Sequence, residues 1–282
     1  MTAPLLALLA SIFYGASDFC GGMSARRLAL PITAFVASLG ALVLLVILAL
    51  LGGAPHLTNR DMVLSVAAGL ITGVSLTLLY WGLARGPVAL VAPLTALAAA
   101  GLPVIYQAMI ERIPLTTQSS LGVGAALVAV FLLGLNEDGR PTANALPRGH
   151  AIAAALVAGG GIAAFYILMK EVAPGSGAWP LVLARAATLA SLAVPAAVAV
   201  RTVRFRARRL NQALAAGAFD ALANTLYVLA VQIGSLAVAA TLSSLYPVTT
   251  VLLGVAVLHE RLTPIRIAGL IMGMAAALLF SA

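Results

Sequence analysis

Charged residues, cysteine and histidine are all scarce in this chain of 282 residues. Only 9% of the residues are charged, and there is one cysteine, Cys20. A single thiol forms no internal disulfide and offers no thiol cluster for a metal. The three histidines, His56, His150 and His259, fall at predicted helix ends or loops. They leave no serine–histidine pair deep in a bundle, and none belongs to a zinc HExxH site. We therefore expect neither an enzyme nor a cofactor or metal.

Apolar residues take up most of the sequence. Hydrophobic types make up 62% of it, and the mean hydropathy is +1.10, whereas soluble domains contain about 45–50% apolar residues. Runs of about 20 residues, the length that crosses a bilayer core, can be marked off ten times. The sequence predicts an all-α integral membrane protein with spans 1 to 10 at about 3–24, 30–51, 62–84, 87–109, 117–135, 149–169, 178–200, 211–231, 236–258 and 264–281.

The basic residues are distributed unevenly between the two sides of these spans. The net charge of +8 would suit a nucleic acid, but the arginines sit in short loops beside apolar runs. Such loops are typical of the cytoplasmic side of membrane proteins, so we expect no nucleic-acid partner. Only Arg60, Arg112 and Lys170 fall on one side. Twelve arginines fall on the other: 26, 27, 85, 140, 148, 201, 204, 206, 208, 209, 261 and 266. We expect this arginine-rich side in the cytoplasm of a bacterial inner membrane and both termini outside.

The second half of the chain repeats the first about 148 residues later. Tyr80 leads through an apolar run to Glu111-Arg112, and Tyr227 leads in the same way to Glu260-Arg261. Five spans per half is an odd number, so the second copy enters the membrane from the opposite side. This predicts two inverted five-helix repeats around a central cavity, at 1–135 and 149–282, joined by a polar loop at 136–148. Inverted repeats of this kind are typical of carriers that work by alternating access.

Motifs near the C-terminus resemble a known family. The pattern Ser244-Leu245-Tyr246-Pro247-Val248, then Glu260-Arg261-Leu262-Thr263, then Gly269 and Gly273 is similar to the EamA type of the drug/metabolite transporter superfamily. The first half departs from it, with Ala98 in place of Pro247. The resemblance implies a ten-helix secondary transporter that exports metabolites. The length and the aromatic core are similar to those of YddG-like aromatic amino-acid exporters.

The six tyrosines fall one each in spans 1, 3, 4, 6, 8 and 9. We expect them to line the central cavity, together with Trp81: Tyr14, Tyr80, Tyr106, Tyr166, Tyr227 and Tyr246. The alternative is an aromatic belt at the membrane interfaces. The belt is an equal alternative for Tyr80, Tyr106 and Tyr166, which lie near charged helix ends, but it does not suit Tyr14 and Tyr246 near mid-span.

Ionisable residues inside a membrane are costly and mark candidate functional sites. Asp18 lies one turn after Tyr14, where it holds a substrate ammonium or a coupling proton, or else pairs with Arg26 or Arg27. Asp220 has no counterpart in the first half and forms a polar stripe with Asn224, four residues on.

Three more polar residues lie in spans 7 and 9. Ser243 and Ser244 extend the polar side of span 9 before Tyr246, so we include them among the cavity candidates, although serines in membrane helices commonly bond across helices. Arg185 in span 7 is better explained by packing than by function.

Four prolines are candidate gating positions. Pro87, Pro93 and Pro103 fall in span 4, and Pro247 falls in span 9, its repeat mate. Each removes a helix hydrogen bond and favours a kink. These kinks are either hinges or static bends.

These features together predict a carrier of small metabolites, such as amino acids including aromatic ones. The partners we expect are the substrate, the lipid bilayer and protons as a coupling ion, with the protein acting as a monomer. Phosphorylated anions are disfavoured because Arg185 is the one cation in mid-span. An exporter of lipophilic cations, and a passive channel or facilitator, remain alternatives.

Overall fold

A computed structural model describes residues 2–26, 28–53, 57–85, 88–134, 146–202, 210–259 and 262–281. Within these ranges the chain is helical and contains no strand. One 3-10 turn, Pro174–Ser176, precedes the seventh helix. The α-helices are α1 Thr2–Ala25, α2 Leu30–Leu51, α3 Asn59–Arg85, α4 Val88–Met109, α5 Thr117–Gly134, α6 Arg148–Lys170, α7 Trp179–Thr202, α8 Asn211–Ile233, α9 Leu236–Ser243, α10 Tyr246–Leu258 and α11 Pro264–Ser281.

These helices confirm the predicted all-α membrane fold. Nine segments in the described ranges are long and apolar enough to cross a bilayer, with 236–258 counted as one of them. The shorter apolar helix at 264–280 corresponds to span 10. Large apolar side chains on the outside of the bundle are exposed, including Leu51, Met109 and Val194, as suits a surface that contacts lipid.

Span 9, predicted as one span with a kink at Pro247, consists of two helices. α9 ends at Ser243 and α10 begins at Tyr246. Pro247 is in the first turn of α10, where its missing N–H would have no helical partner in any case. In a continuous helix its ring would clash with the carbonyl group of Ser243, four residues back, and α9 ends at Ser243. By contrast, α4 continues without a break through Pro93 and Pro103. Pro87 lies outside the described residues.

Helices from the two halves of the chain pack against each other in a symmetrical pattern. α1 packs on α8 and α3 on α6, α2 on α8 and α7 on α3, and α5 on α11. Exchanging the halves leaves this pattern unchanged. Two glycines 148 residues apart make equivalent close crossings: a Cβ on Gly69 would overlap the Ala184 carbonyl group, and one on Gly217 would overlap that of Ala37. Small residues allow this approach between membrane helices.

The helix ends form two faces. Consecutive spans joined by short connections alternate in direction, so their ends group on opposite sides of the bundle. The arginine-rich face includes Arg26, Arg85, Arg148 and Arg266. The opposite face includes Arg60, Glu111, Lys170 and Glu171. The repeat boundaries at 135 and 149 stay a prediction, because residues 135–145 lie outside the described ranges.

Candidate functional site

A cavity of about 660 Å³ lies inside the bundle. Every α-helix except α9 contributes to its wall. Its wall reaches the arginine-rich face at Arg26, Gly134, Leu258 and Arg266. From there it extends into the bundle as far as Tyr14, at the middle of α1, and Asn224, near the middle of α8. This volume is in the range of small-molecule sites, about 300–1,000 Å³.

Aromatic rings form part of the inner end of the cavity. Tyr14, Tyr166 and Tyr246, three of the candidate cavity residues, line it. The rings of Tyr14 and Tyr246 meet edge to face, with centroids 6.4 Å apart. Phe19 and Phe165 add to the same wall. These rings offer large apolar surfaces with polar hydroxyl tips, the character that suits an amphipathic ligand.

A hydrogen-bonded chain links α1 to α8 at this depth. The Tyr14 hydroxyl donates to Asn224 Oδ1 at 3.0 Å. Asn224 Nδ2 donates to the backbone oxygen of Asp220 at 2.7 Å. Asn224 is 4% exposed, so both ends of its amide are committed to protein partners. This hydrogen bond fixes the Tyr14 hydroxyl to α8.

Three ionisable side chains line the inner cavity, and two of them are paired. Arg185 on α7 and Asp220 on α8 form an ion pair, and both line the cavity. Asp18 on α1 also lines it and is exposed there. Asp18 makes no hydrogen bond or ion pair with any described residue, so it does not pair with Arg26; Arg27 lies outside the described residues.

The pairing of Arg185 with Asp220 is a feature that sequence reasoning missed. The sequence assigned the arginine to packing and the aspartate to a polar stripe. The sequence did show one arginine and two aspartates, Asp18 and Asp220, inside apolar spans, where charged residues usually pair. It did not show which aspartate is the partner of Arg185.

Several further hydroxyl groups line the cavity but are occupied by backbone bonds. Thr188 Oγ1 donates to Gly69 O at 2.9 Å, Thr95 Oγ1 to Ala155 O at 3.2 Å, and Ser17 Oγ to Ala216 O at 2.8 Å. Ser244, a predicted cavity residue, lines the break between α9 and α10, and its Oγ donates to Ala240 O at 2.7 Å. These groups stabilise helix crossings and turns.

Four predicted cavity residues lie outside its wall. Tyr227 is fully buried behind Tyr166, with its hydroxyl donating to the Tyr166 carbonyl oxygen at 3.1 Å. Ser243 is buried and donates to Ala7 O at 3.4 Å. Tyr106 packs against the core near the opposite face, and Trp81 faces the Arg85 guanidinium at 6.0 Å. These four residues lie on sides of their helices that face away from the cavity. The side chain of Tyr80 lies outside what the structure describes.

The predicted gating prolines have different positions. Pro247 lines the cavity at the helix break. Pro93 and Pro103 are fully buried inside α4. Of the candidate gating prolines that the structure describes, Pro247 is therefore the one that lies at a helix break and lines the cavity.

The opposite face is held together by charged and polar contacts. Lys170 pairs with Glu111, and Arg60 Nη2 pairs with Glu171 Oε2 at 2.9 Å. These ion pairs tie the end of α6 to the end of α4 and to the start of α3.

Asp61 and Gln107 add further hydrogen-bonded links at this face. Asp61 accepts hydrogen bonds from Ala173 N at 3.1 Å and from Ser176 Oγ at 3.4 Å. Gln107 Oε1 accepts from Ser235 Oγ at 2.6 Å and Ala237 N at 2.8 Å. The structure is therefore open toward the arginine-rich face and closed at the opposite one.

No group of three histidine, cysteine or acidic side chains within the described ranges is arranged to hold a metal ion. An apolar helical bundle with a central cavity of mixed aromatic and charged lining is the arrangement expected of a membrane transporter of small molecules. The EamA-like transporter family matches residues 1–135 and 149–282. The chain belongs to this family, within the drug/metabolite transporter superfamily, whose members are transporters and not enzymes.

One solved structure, described only as "Crystal structure of protein", has the same fold. It is similar with a TM-score of 0.78 at 15% identity, over 99% of this chain and 96% of that chain. No curated protein matches this chain.

Proposed function

We propose that this chain is a secondary carrier that exports small metabolites by alternating access, and that its substrates are amino acids, including aromatic ones. The observation that carries the proposal is the inner cavity, where Tyr14 and Asp18, one helical turn apart on α1, face Tyr166 and Tyr246. An exposed carboxylate beside aromatic rings suits a molecule that combines an ammonium group with an apolar side chain.

The direction of the opening supports export. The cavity reaches the face that carries the excess of arginine, and such faces are cytoplasmic in membrane proteins. A cavity open to the cytoplasm takes up its substrate there. The ion pairs of Lys170 with Glu111 and of Arg60 with Glu171 must then separate when the opposite face opens.

The symmetrical packing of the two halves supports alternating access. The main helix contacts of the first half have equivalents in the second, so the halves can exchange conformations to give a second state, open at the opposite face. Asp18 is the candidate for proton coupling, because it is a cavity carboxylate without a described protein partner. Release of its proton on the cytoplasmic side would free it for the substrate.

An exporter of lipophilic cations is the second candidate. The same carboxylate of Asp18 favours it, since aromatic rings and one free acid are sufficient to bind an organic cation. The two candidates differ in whether a zwitterion is moved.

Efflux from proteoliposomes tests the proposal. Vesicles loaded with radiolabelled phenylalanine are expected to release it in a saturable manner, faster under an imposed pH gradient. Tyr246→Ala, which removes a cavity ring, should abolish most of this efflux, and Tyr106→Ala, a matched change outside the cavity wall, should retain it. Asp18→Asn should lose the response to the pH gradient. No efflux above empty vesicles, from protein that is monodisperse in detergent, would refute amino-acid export and favour lipophilic cations.

A further inference from the structure

The charges in the inner cavity are not equivalent. Asp18 is exposed to the cavity, whereas Arg185 and Asp220 neutralise each other in an ion pair whose side chains are 13% and 27% exposed. Two carboxylates and one guanidinium leave one net negative charge. The other cationic side chains of the lining, Arg26 and Arg266, are at the arginine-rich mouth.

The charged side chains of the inner cavity come from three of the helices that line it. They come from α1, α7 and α8, while the wall formed by α3, α4 and α6 is uncharged and includes Leu76, Leu79, Ile162 and Phe165. The position of Asp220 is occupied in the first half by Gly73, so this charge has no repeat mate. A substrate with a charged group and an apolar body can therefore place the first near α1 and α8 and the second against the uncharged lining of α3, α4 and α6.

We propose that Asp18 and the Arg185–Asp220 pair together set charge selectivity: Asp18 binds the ammonium group of the substrate, and Asp220 masks Arg185 so that a carboxylate alone is not accepted. This inference rests on the proposed transport of amino acids and names the part of the substrate that is recognised. The required substrate feature is a primary ammonium group on an apolar body. The substrate carboxylate is tolerated and not bound by Arg185.

Asp220 determines how strongly Arg185 attracts a second anion. A guanidinium that already pairs with a carboxylate has little attraction left for a second anion. If the carboxylate is removed, the guanidinium stays in a largely apolar environment and attracts any anion that enters, because opposite charges about 4 Å apart interact strongly at the effective dielectric of a protein. Asp220→Asn is therefore expected to create an anion site, which a simple packing role for the pair would not do.

Competition against phenylalanine efflux tests this selectivity with two analogues that share the phenethyl group and differ in the charged group attached to it. Phenethylamine carries only the ammonium group, and 3-phenylpropionate carries only the carboxylate. With the wild-type protein, we expect phenethylamine to compete and 3-phenylpropionate to be weaker by roughly tenfold or more. In Asp18→Asn, the potency of phenethylamine as a competitor should fall roughly tenfold. The potency of 3-phenylpropionate should not fall.

The decisive variant is Asp220→Asn, in which 3-phenylpropionate should gain roughly tenfold in potency. Its matched control is Asp220→Asn combined with Arg185→Gln. This double variant removes both charges and should return the potency of 3-phenylpropionate to the wild-type value. Unchanged competition by 3-phenylpropionate in a folded Asp220→Asn protein would overturn the inference.

Two further variants cover the case in which Asp220→Asn does not fold. The exchange Arg185→Asp with Asp220→Arg keeps a neutral pair and should retain wild-type selectivity. Arg185→Gln alone leaves two free carboxylates and should make phenethylamine more potent; no gain in this variant overturns the inference. If the wild-type protein transports phenylalanine but these shifts are absent, only the selectivity inference fails. If it transports no amino acid, the proposed function fails as well.

Discussion

Replacement of Gly15 by alanine tests the closest approach of α1 to α10, beside the tyrosines of the cavity. A Cβ on Gly15 would lie 2.6 Å from Tyr246 O and 2.5 Å from Thr249 Cβ, where ordinary contacts begin at 3.4 Å. The two helices must therefore separate by about 0.9 Å, the difference between 3.4 and 2.5 Å. A backbone oxygen cannot rotate away, so the change also separates the rings of Tyr14 and Tyr246. Overpacking of this kind costs about 1–3 kcal/mol.

A matched control lies on the same helix. A Cβ on Gly22 would have nothing within 4 Å, so Gly22→Ala gains the helix propensity of alanine, about 1 kcal/mol, without a clash. The difference between the two variants isolates the clash. At about 2–4 °C per kcal/mol, Gly15→Ala should unfold roughly 2–12 °C below Gly22→Ala when followed by size-exclusion chromatography of heated, detergent-solubilised protein. Equal midpoints would refute the close crossing of α1 and α10.

The remaining predictions concern single contacts. Lys170→Gln leaves the mostly buried Glu111 carboxylate without its ion-pair partner. It should destabilise the closed opposite face by about 1–3 kcal/mol, which lowers the thermal midpoint. The exchange Lys170→Glu with Glu111→Lys should recover most of this stability, and failure to recover it would contradict a direct pair. Tyr14→Phe removes the donor to Asn224 Oδ1 and should lower the free energy of unfolding by about 1–2 kcal/mol. The KM for phenylalanine should change little because the ring is kept. A large rise in KM would show that the hydroxyl contacts substrate. Gln107→Ala removes the acceptor for the N-terminus of α9 and should lower the free energy of unfolding by about 1–3 kcal/mol. Gln107→Glu keeps an acceptor and should lower it less. Equal losses in the two variants would contradict a stabilising bond from Gln107 to the start of α9.

The helices could be predicted from the sequence because membrane spans are set by length and hydropathy, two local properties. Span ends agree with the structure to within three residues. The break in span 9 follows from Pro247, whose effect on its neighbours is also local. Pro93 and Pro103 show the limit of that reasoning, because α4 passes through both without a break.

The cavity was predicted less completely because it depends on helix rotation and on contacts between distant spans. Tyr14, Tyr166 and Tyr246 line it, but Tyr227 is turned behind Tyr166. The presence of a tyrosine in a span does not specify which side of the helix it occupies. The pairing of Arg185 with Asp220 required knowing that α7 and α8 present these residues to the same space.

Countertransport is the most direct test of the central claim that this protein is a carrier with alternating access. Proteoliposomes preloaded with unlabelled phenylalanine are diluted into a trace of labelled phenylalanine. A carrier exchanges one molecule for another, so the label should accumulate transiently inside the vesicles above its outside concentration and then decay. Equilibration of the label without this overshoot, in vesicles that do take up phenylalanine, would contradict alternating access and indicate a passive channel.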